Sequence, residues 1–552
     1  MDHDYRYILA LGVALSIGCR VENAEIQRGL SAISAAGLAQ KIQVLAADSM
    51  EGRAPSSAGE EKTVTYLVDQ LRQLGLRSGS GEDYVQQVPL VSIAADRNMT
   101  LAVQGQGKIT NLAYGDQFVA FTSRIVERAA IQNSELVFAG YGIVAPEYGW
   151  DDFAGTDVKG KTIVVLVNDP GFATGDTTLF KGRTMTYYGR WTYKYEEAAR
   201  QGAAGVLIVH ETEPAGYPWE VVTGSWSGAR FALESADNNM SRAGVEGWIT
   251  ADAARQIFRE AGLDYDSLKV RAAQRAFKAV PLGLRASVTV RNTLRRSSSR
   301  NVLAVLPGTT RADEYVIYLA HWDHLGRDPA LEGDQIYNGA LDNASGTAGL
   351  LELAKAYAAL DRNPVRSVLF LAVTAEEQGL LGSQYYATHP VYPLHQTVAA
   401  INMDGMNLLG PMRDITVIGY GNSDLDDYVT QAARTQNRVV RPDPEPEKGF
   451  YFRSDHFPLA KVGVPALDPD AGINSVEHGD SWARQQRDEY TAQRYHKPSD
   501  EYDPAWDLGG AVEDLRLFFR VGYQLANEST FPNWRPGTEF KAARDTMMAG
   551  AR

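Results

Sequence analysis

Residues 365–377 read VRSVLFLAVTAEE, an almost unbroken apolar run that closes on two adjacent glutamates. A continuous apolar run is typical of a strand buried on both faces, as in a mostly parallel sheet covered by helices on each side. The segment therefore predicts a central strand of an α/β fold, with Glu376 and Glu377 at its carboxyl end. Ligands of such sheets bind beyond the carboxyl ends of the strands, so a functional site is expected there.

Neighbouring segments repeat the pattern. NVLAVLPG and EYVIYLAHWDH precede this strand, TVAAINMDG follows it, and residues 343–360 carry an apolar face typical of a helix. This alternation predicts a mixed, mostly parallel sheet sandwiched by helices. His321 and Asp404, like the two glutamates, come at the ends of predicted strands, which indicates one shared site.

The motifs around these strand ends contain side chains that bind divalent metals. They are HWDHLG (321–326), ALDNASG (340–346), TAEEQG (374–379), NMDG (402–405) and YHKPSD (495–500). Mixed nitrogen and oxygen donors suit Zn²⁺ or a similar ion, and one carboxylate bridging two ions held ~3.5–4 Å apart would make a two-metal hydrolytic centre. The candidate ligands are His321, Asp342, Glu376, Glu377, Asp404 and His496.

The two adjacent glutamates are expected to have different roles. Carboxylates that close an apolar strand are costly unless a cation compensates them. Because adjacent residues point in different directions, one glutamate can bind metal while the other serves as general base towards the attacking water. Asp323, two residues after His321, is expected to accept a hydrogen bond from the second imidazole nitrogen of that histidine.

Purely structural roles are open for several of these residues. Asp342 could cap the helix that follows it, and Glu376 and Glu377 could simply be solvated glutamates that open a helix. His324 and His478 compete as ligands. A third histidine lies in RSDHF (453–457), where it is expected to form a supporting pair with the preceding aspartate, Asp455.

Composition restricts the class of partner. The net charge of −14 argues against nucleic acid or an anionic membrane surface, because both would repel the chain. Cys19 is the only cysteine, so neither an intrachain disulfide nor a thiolate metal site is expected. The apolar stretch YILALGVALSIG before it has the length of a signal-peptide core. Residues 1–19 are therefore predicted to be a signal peptide, of lipoprotein type with a lipid on Cys19, that exports the protein to the periplasm, the membrane surface or the medium. An ordinary signal peptide or a buried first strand is the alternative.

The 552-residue chain is longer than one domain of about 100–200 residues, and residues 130–290 differ in texture from the rest. Short Val- and Ile-rich runs bounded by glycine, such as KGKTIVVLVND, predict strands there, and none of the candidate ligands falls among them. RNTLRRSSSR (291–300) is polar and Ser-rich and predicts a connector at a domain exit. The tail from 531 to 552 is expected to be a loose extension.

With these motifs in this order, residues 301–526 resemble the M28 family of zinc peptidases, which includes secreted bacterial aminopeptidases and glutamate carboxypeptidase II. The resemblance implies a peptidase domain interrupted by a protease-associated (PA) domain. Its parts would be 25–125 as the N-terminal part of the peptidase domain, 130–290 as the β-rich inserted PA domain, 300–530 as the M28 peptidase domain, and 531–552 as the C-terminal extension.

The resemblance also implies roles for single residues. Two zinc ions or similar metals would be bound, one by His321 and Asp404, the other by Glu377 and His496, with Asp342 bridging them. Glu376 would be the general base and Asp323 the orienting carboxylate. Tyr451 falls where secreted aminopeptidases of the family place a tyrosine that stabilises the oxyanion, and Tyr495 matches the tyrosine of the carboxypeptidase branch. Leu341 stands where many members have Asp, and metal binding is expected to survive because that residue is not a ligand.

The function implied is a metal-dependent exopeptidase acting on peptides, most similar to an aminopeptidase that releases N-terminal residues with Glu376 as general base. A carboxypeptidase or dipeptidase of the glutamate carboxypeptidase type is the main alternative. A glutaminyl cyclase ranks low, since those relatives use one zinc and lack the insertion. A non-catalytic receptor-like binding protein is disfavoured because every ligand position is filled.

Overall fold

The computed structural model describes residues 24–226 and 228–550, and the chain forms two compact units. The first contains residues up to 88, 298–443 and residues from 453 onward; the second contains 89–297 and 444–452. The predicted signal peptide lies outside the described residues. Within the described residues, no helix combines the length and the apolar character needed to cross a membrane.

The first unit is built on a mixed, mostly parallel sheet. Its main strands are β1 (Val280–Leu306, of which the last residues belong here), β2 (Arg311–His321), β3 (Arg366–Val373), β4 (Thr397–Asn402) and β5 (Ala466–Asp470). β1 pairs antiparallel with β3, and β3, β2, β4 and β5 are parallel in that spatial order. Shorter strands complete the sheet at Arg77–Ser78, Asp414–Ile418 and Val439–Pro442.

Helices cover both faces of this sheet, which explains the continuous apolar strands. Along β2, Val316, Tyr318 and Ala320 face one core, whereas Ile317 and Leu319 face the other. Successive side chains of a strand point to opposite faces, so a strand buried on both sides is apolar at every position. The predicted fold class is thereby confirmed. The helices of this unit are Ala35–Leu45, Ala58–Gln73, Gly346–Ala358, Leu381–Thr388, Leu425–Arg434, His456–Lys461, Asp480–Gln493, Gly509–Asn527 and Lys541–Gly550.

The second unit is β-rich. Four of its strands pair in parallel, in the spatial order Arg128–Phe138, Thr162–Leu166, Gly205–His210 and Val245–Thr250, and the last pairs antiparallel with Phe118–Phe121. Its other strands include Thr100–Gly105, Lys108–Ala113, Val144–Ala145, Trp150–Asp151 and Ala229–Leu233, with parts of Val85–Ala95 and β1. Its helices are Pro170–Thr174, Trp191–Arg200, Thr212–Ala215, Trp219–Trp226, Ala251–Glu260 and Tyr265–Ala272.

Two segments differ from the predicted local structure. Residues 291–300 are not a loop: they lie inside the continuous strand β1, and the unit boundary falls within it, between Ser297 and Ser298. The C-terminal tail is packed rather than loose, because Trp534 and Arg544 are almost fully buried. The Trp534 indole donates to the Gly463 carbonyl at 3.0 Å, and Arg544 donates to the Thr397 carbonyl at 3.1 Å.

The second unit also begins earlier than the predicted insertion. Residues 89–125 belong to it, whereas the sequence pattern groups them with the peptidase region. The reason is strand pairing: Thr100–Gly105 pairs with residues 285–287 of β1, and Phe118–Phe121 pairs with Val245–Thr250. Identification of this unit as a PA domain stays a prediction.

Candidate metal centre

The carboxyl ends of β2, β3 and β4 bring three of the predicted ligands, His321, Glu377 and Asp404, to one edge of the sheet. His321, the last residue of β2, is in register with Val373 at the end of β3, and Leu319 is in register with Asn402 at the end of β4. Glu376 and Asp404 follow β3 and β4 within three residues. Parallel strands in register end at the same edge, so their following loops converge there.

The first group of donors surrounds His321. Its Nε2 atom lies 3.4 Å from Oδ1 of Asp342 and 3.2 Å from Oδ1 of Asp404. Asp342 comes from the turn Ala340–Ser345, which leads into the helix Gly346–Ala358. These three side chains form one cluster with the spacing of a metal site.

The second group faces the other oxygen of Asp342. His496 Nε2 lies 3.2 Å from Asp342 Oδ2 and 3.0 Å from Glu377 Oε2. His324 joins Asp342 and Glu377 in a second cluster with metal-site spacing. Asp342 thus presents one oxygen to each histidine, as a carboxylate between two ions would.

These distances fit a divalent cation. Two ligand atoms bound to one tetrahedral ion at about 2.0–2.2 Å lie roughly 3.3 Å from each other. The four distances from the Nε2 atoms of His321 and His496 to the neighbouring carboxylate oxygens fall between 3.0 and 3.4 Å. The structure therefore brings all five predicted metal ligands together.

The electrostatic field of the site also favours positive charge. Although burial lowers it, the pKa of His496 is raised to about 10 by its hydrogen bonds to Asp342 and Glu377. Burial likewise opposes protonation of His321, yet nearby Glu376 and Asp404 hold its pKa well above the usual range. The same carboxylates that favour protonation of both histidines also favour a metal cation, which would bind the same nitrogen lone pairs.

Glu376 and Asp323 are two carboxyl groups of the site that are not predicted metal ligands. Burial raises the pKa of Glu376 well above its ordinary value and that of Asp323 to about 8. Asp323 Oδ1 accepts a hydrogen bond from the Glu376 amide at 3.1 Å. Its carboxylate is 3.9 Å from His321 Nδ1, beyond hydrogen-bond length, and that nitrogen lies 3.2 Å from the Asp323 carbonyl oxygen instead. The strand ends at His321, so the alternation that predicted a carboxylate contact does not extend to Asp323.

The backbone is strained at two points of the site. Ala375, immediately before Glu376, has φ 53°, and His496 has φ 55°. This left-handed region is uncommon for residues other than glycine, and such conformations persist where the surrounding structure enforces them, often at functional sites. One strained residue therefore adjoins the predicted general base, and the other is a predicted ligand.

Asp500 is a further residue of the site that was not among the candidates predicted from sequence. Its carboxylate accepts the amide hydrogens of Leu341 and Asp342, both at 3.1 Å, and the Tyr490 hydroxyl at 3.1 Å. The backbone at Leu341 and at the predicted bridging ligand Asp342 is therefore held in place by Asp500. Asp500 closes the YHKPSD motif, so a carboxylate four residues after a candidate ligand was the available signal.

Arg53 was missed as well. It is almost fully buried and donates to four main-chain carbonyls, from residues 45, 322, 338 and 339. Trp322 directly follows His321, and Gly339 lies shortly before Asp342. Arg53 therefore supports the loops that carry these ligands. No sequence motif identifies Arg53, because its burial depends on tertiary contacts.

The remaining candidates lie elsewhere or stay untested. Among the described residues, the two clusters with metal-site spacing include neither His478, His456 nor His496, but His496 meets the site through its contacts to Asp342 and Glu377. Asp455 is buried and accepts a hydrogen bond from Ser383 at 2.5 Å. Tyr495 stacks on the His496 ring, with centroids 3.8 Å apart. Tyr451 belongs to the second unit, and its predicted role at the oxyanion stays a prediction.

The fold and this cluster define a candidate metal-dependent hydrolytic centre at the carboxyl edge of an α/β sheet. Residues 301–519 match the model of Peptidase family M28. The stretch contains every predicted metal ligand, which agrees with the geometry of the site.

The chain is also similar to curated proteins and to a solved structure. The chain is 36% identical to the mouse (Mus musculus) "Aminopeptidase NAALADL1" over 129 residues, 22% of this chain and 16% of that protein. It is 26% identical to "Aminopeptidase YwaD" of Bacillus subtilis over 212 residues, 37% of this chain and 40% of that protein. The matches therefore span about a sixth to two-fifths of these relatives. The structure of an aminopeptidase from Aneurinibacillus sp. strain AM-1 is similar with a TM-score of 0.49 and 19% identity, covering 92% of this chain and 97% of that one.

Proposed function

We propose that the protein is a metal-dependent aminopeptidase that uses two zinc ions, or similar divalent metals, to hydrolyse the N-terminal bond of peptides. The observation that carries the proposal is the position of Asp342, whose two carboxylate oxygens face His321 and His496 at 3.4 and 3.2 Å. A carboxylate shared in this way suits a pair of ions that act together on one substrate. Two curated relatives named as aminopeptidases, from mouse and from Bacillus subtilis, support the choice of an aminopeptidase, whereas a "Glutamate carboxypeptidase 2 homolog" of Caenorhabditis elegans keeps a carboxypeptidase as the second candidate.

Five side chains would hold the metals: His321 and Asp404 for one ion, Glu377 and His496 for the other, and Asp342 for both. When bound, the ions would supply Lewis acidity that lowers the pKa of water and polarises the scissile carbonyl. Proton transfer would be carried out by a side chain that does not bind metal.

Glu376 is the general base in this proposal. Its carboxylate takes a proton from the attacking water and returns it to the leaving amine. Burial, which raises its pKa, allows the side chain to keep the proton between these two steps. Asp323 positions this residue by accepting the Glu376 amide hydrogen.

The substitution Glu376→Gln tests this division of labour. Glutamine has the same shape but cannot accept the proton, so we expect kcat to fall by about 10²–10⁴-fold or more while zinc content stays at the wild-type level. Glu332→Gln, at an exposed position of the same unit, is the matched control and should change neither quantity. Loss of zinc in Glu376→Gln would move this residue to the ligand set, and full activity would remove it from the mechanism.

A further inference from the structure

The second unit contains an arginine whose guanidinium is held against aromatic rings. Arg230, in the strand Ala229–Leu233, is partly buried. Its guanidinium carbon lies 4.4 Å from the centre of the Phe121 ring and 4.6 Å from that of Trp226, with the Trp191 ring at 6.0 Å. Cations are attracted to the faces of aromatic rings within about 6 Å, so these contacts stabilise the positive charge.

The aromatic rings hold one another in place. Phe121 and Trp226 meet edge to face with centroids 4.3 Å apart, and Tyr195 packs against them at 6.2 and 5.8 Å. Trp191, one helical turn before Tyr195, lies 6.2 Å from Trp226. Phe121, Tyr195 and Trp226 are buried, whereas Trp191 is partly exposed. The aromatic wall around Arg230 is therefore preformed, and Trp191 is the part of it that solvent reaches.

The aromatic contacts do not satisfy the N–H donors of Arg230. A guanidinium has donors on all of its nitrogens, and the face of a ring stabilises the charge without replacing a carboxylate or carbonyl oxygen. The Nη1 atom is buried and has no hydrogen-bond partner among the residues that the structure describes. A buried donor of this kind is costly unless a ligand binds it. Burial also lowers the pKa of Arg230, yet arginine stays protonated at neutral pH, so the group offers a charged donor to an anion.

The carboxylate of Glu246, whose charge acts on Arg230, is already engaged by other partners. Its Oε2 atom accepts a hydrogen bond from the Ser123 hydroxyl at 2.6 Å, and its Oε1 atom accepts one from Arg242 at 3.1 Å. The negative charge of Glu246 nearby disfavours a ligand with two negative charges more than a ligand with one. A planar carboxylate has a single charge and accepts two parallel hydrogen bonds from one guanidinium.

We propose that Arg230 and the rings of Phe121, Trp191 and Trp226 form a binding site for a carboxylate that is carried next to an apolar group. The C-terminus of a peptide with a hydrophobic last residue has this chemistry. The guanidinium would donate to the carboxylate, and the rings would contact the apolar group. The proposal concerns the second unit alone and does not depend on the metal centre.

Ligand-observed NMR titration of the full chain with N-acetylphenylalanine tests the proposal. The blocked N-terminus prevents turnover by an aminopeptidase, and for a probe of this size we expect a Kd of about 1 mM. N-acetylphenylalaninamide has nearly the same shape without the charge and should bind about 10–100-fold more weakly. N-acetylaspartate α-amide has a carboxylate without the aromatic group and should also bind more weakly.

Substitutions at Arg230 connect the binding to this site. Arg230→Met should weaken binding of N-acetylphenylalanine by about 10–100-fold, and Arg230→Lys, which keeps the charge without the planar fork, should have an intermediate affinity. Arg259→Met, at an exposed arginine of the same unit, is the matched control and should bind the probe as wild type does.

Each titration is repeated with a chelator, because carboxylates also bind zinc. Unchanged affinity supports the proposal, whereas binding that disappears with the chelator belongs to the metal centre and would overturn it. Wild-type affinity in Arg230→Met would exclude Arg230 as the anchor. Equal affinity of wild-type protein for the acid and its amide would also overturn the proposal, and this comparison needs no variant to fold. Tighter binding of inorganic phosphate than of N-acetylphenylalanine would contradict the choice of a carboxylate.

Discussion

Replacement of Arg53 by methionine should destabilise the first unit and weaken metal binding together. The guanidinium donates to the carbonyls of Leu45 and Asn338, both at 2.6 Å, and to those of Trp322 and Gly339, both at 2.9 Å. Methionine fills most of the volume but provides no donor. All four carbonyls would lose this partner at once.

The magnitude follows from this network. Hydrogen bonds from a charged group contribute about 1.5–3 kcal/mol each, but one guanidinium makes all four, so their contributions do not add. A buried carbonyl left without a donor costs about 1–3 kcal/mol, and because some of the four can find other partners we expect a total loss of about 3–5 kcal/mol. At about 2 °C per kcal/mol for a unit of this size, Tm should fall by roughly 6–10 °C. Burial lowers the pKa of Arg53 only to about 10, so the group is charged at neutral pH and the loss is expected there.

The assay is thermal unfolding with and without a chelator, combined with zinc competition. Arg53→Lys keeps the charge without the planar geometry and should recover part of the stability. Arg516, which is partly buried and donates to the carbonyls of Leu30 and Ile33, provides the control Arg516→Met, which should cost little and leave zinc affinity unchanged. This account of Arg53 is refuted if Arg53→Met lowers Tm by less than about 2 °C, which corresponds to a loss of about 1 kcal/mol or less, and leaves zinc affinity unaltered.

Two further predictions concern buried carboxylates. Asp500 holds the Asp342 amide and the Tyr490 hydroxyl, so Asp500→Ala should weaken zinc binding about tenfold, and unchanged chelator competition would count against that role. Burial raises the pKa of Asp514 to about 6 despite its ion pair with Arg438. Because the folded protein binds this proton more tightly than the unfolded chain, stability from this group is complete below pH ~4 and is lost as pH rises to ~6. Between pH 4 and 7 the wild type should therefore lose up to about 3 kcal/mol of unfolding free energy that Asp514→Asn does not lose. Parallel curves of Tm against pH for the two proteins would contradict the raised pKa.

The parts of this protein that were predictable from sequence are those where local pattern and global fold agree. The continuous apolar run before Glu376 indicated a strand buried on both faces, and β3 lies between two such strands. Because parallel strands in register share an edge, motifs at their ends converge, and this rule predicted the proximity of His321, Glu377 and Asp404. No knowledge of side-chain packing was needed for that step.

The features that were not predictable depend on tertiary contacts. Arg53 looks like an ordinary loop residue, and only the packing of that loop makes its four carbonyl contacts necessary. Residues 291–300 look like a polar linker, yet they continue a strand because β1 extends across the boundary between the units, and pairing overrides their weak intrinsic preference. The Asp323 contact was predicted from strand alternation, which ends at His321.

The proposal that this protein is a metal-dependent aminopeptidase is tested most directly by cleavage of one peptide in three forms: free, N-acetylated and C-amidated, each with and without a chelator. We predict chelator-sensitive cleavage that is lost on acetylation and kept on amidation, because the enzyme would need a free N-terminus. Cleavage lost on amidation instead would identify a carboxypeptidase. Zinc-loaded protein that cleaves none of the three forms would contradict the proposed activity.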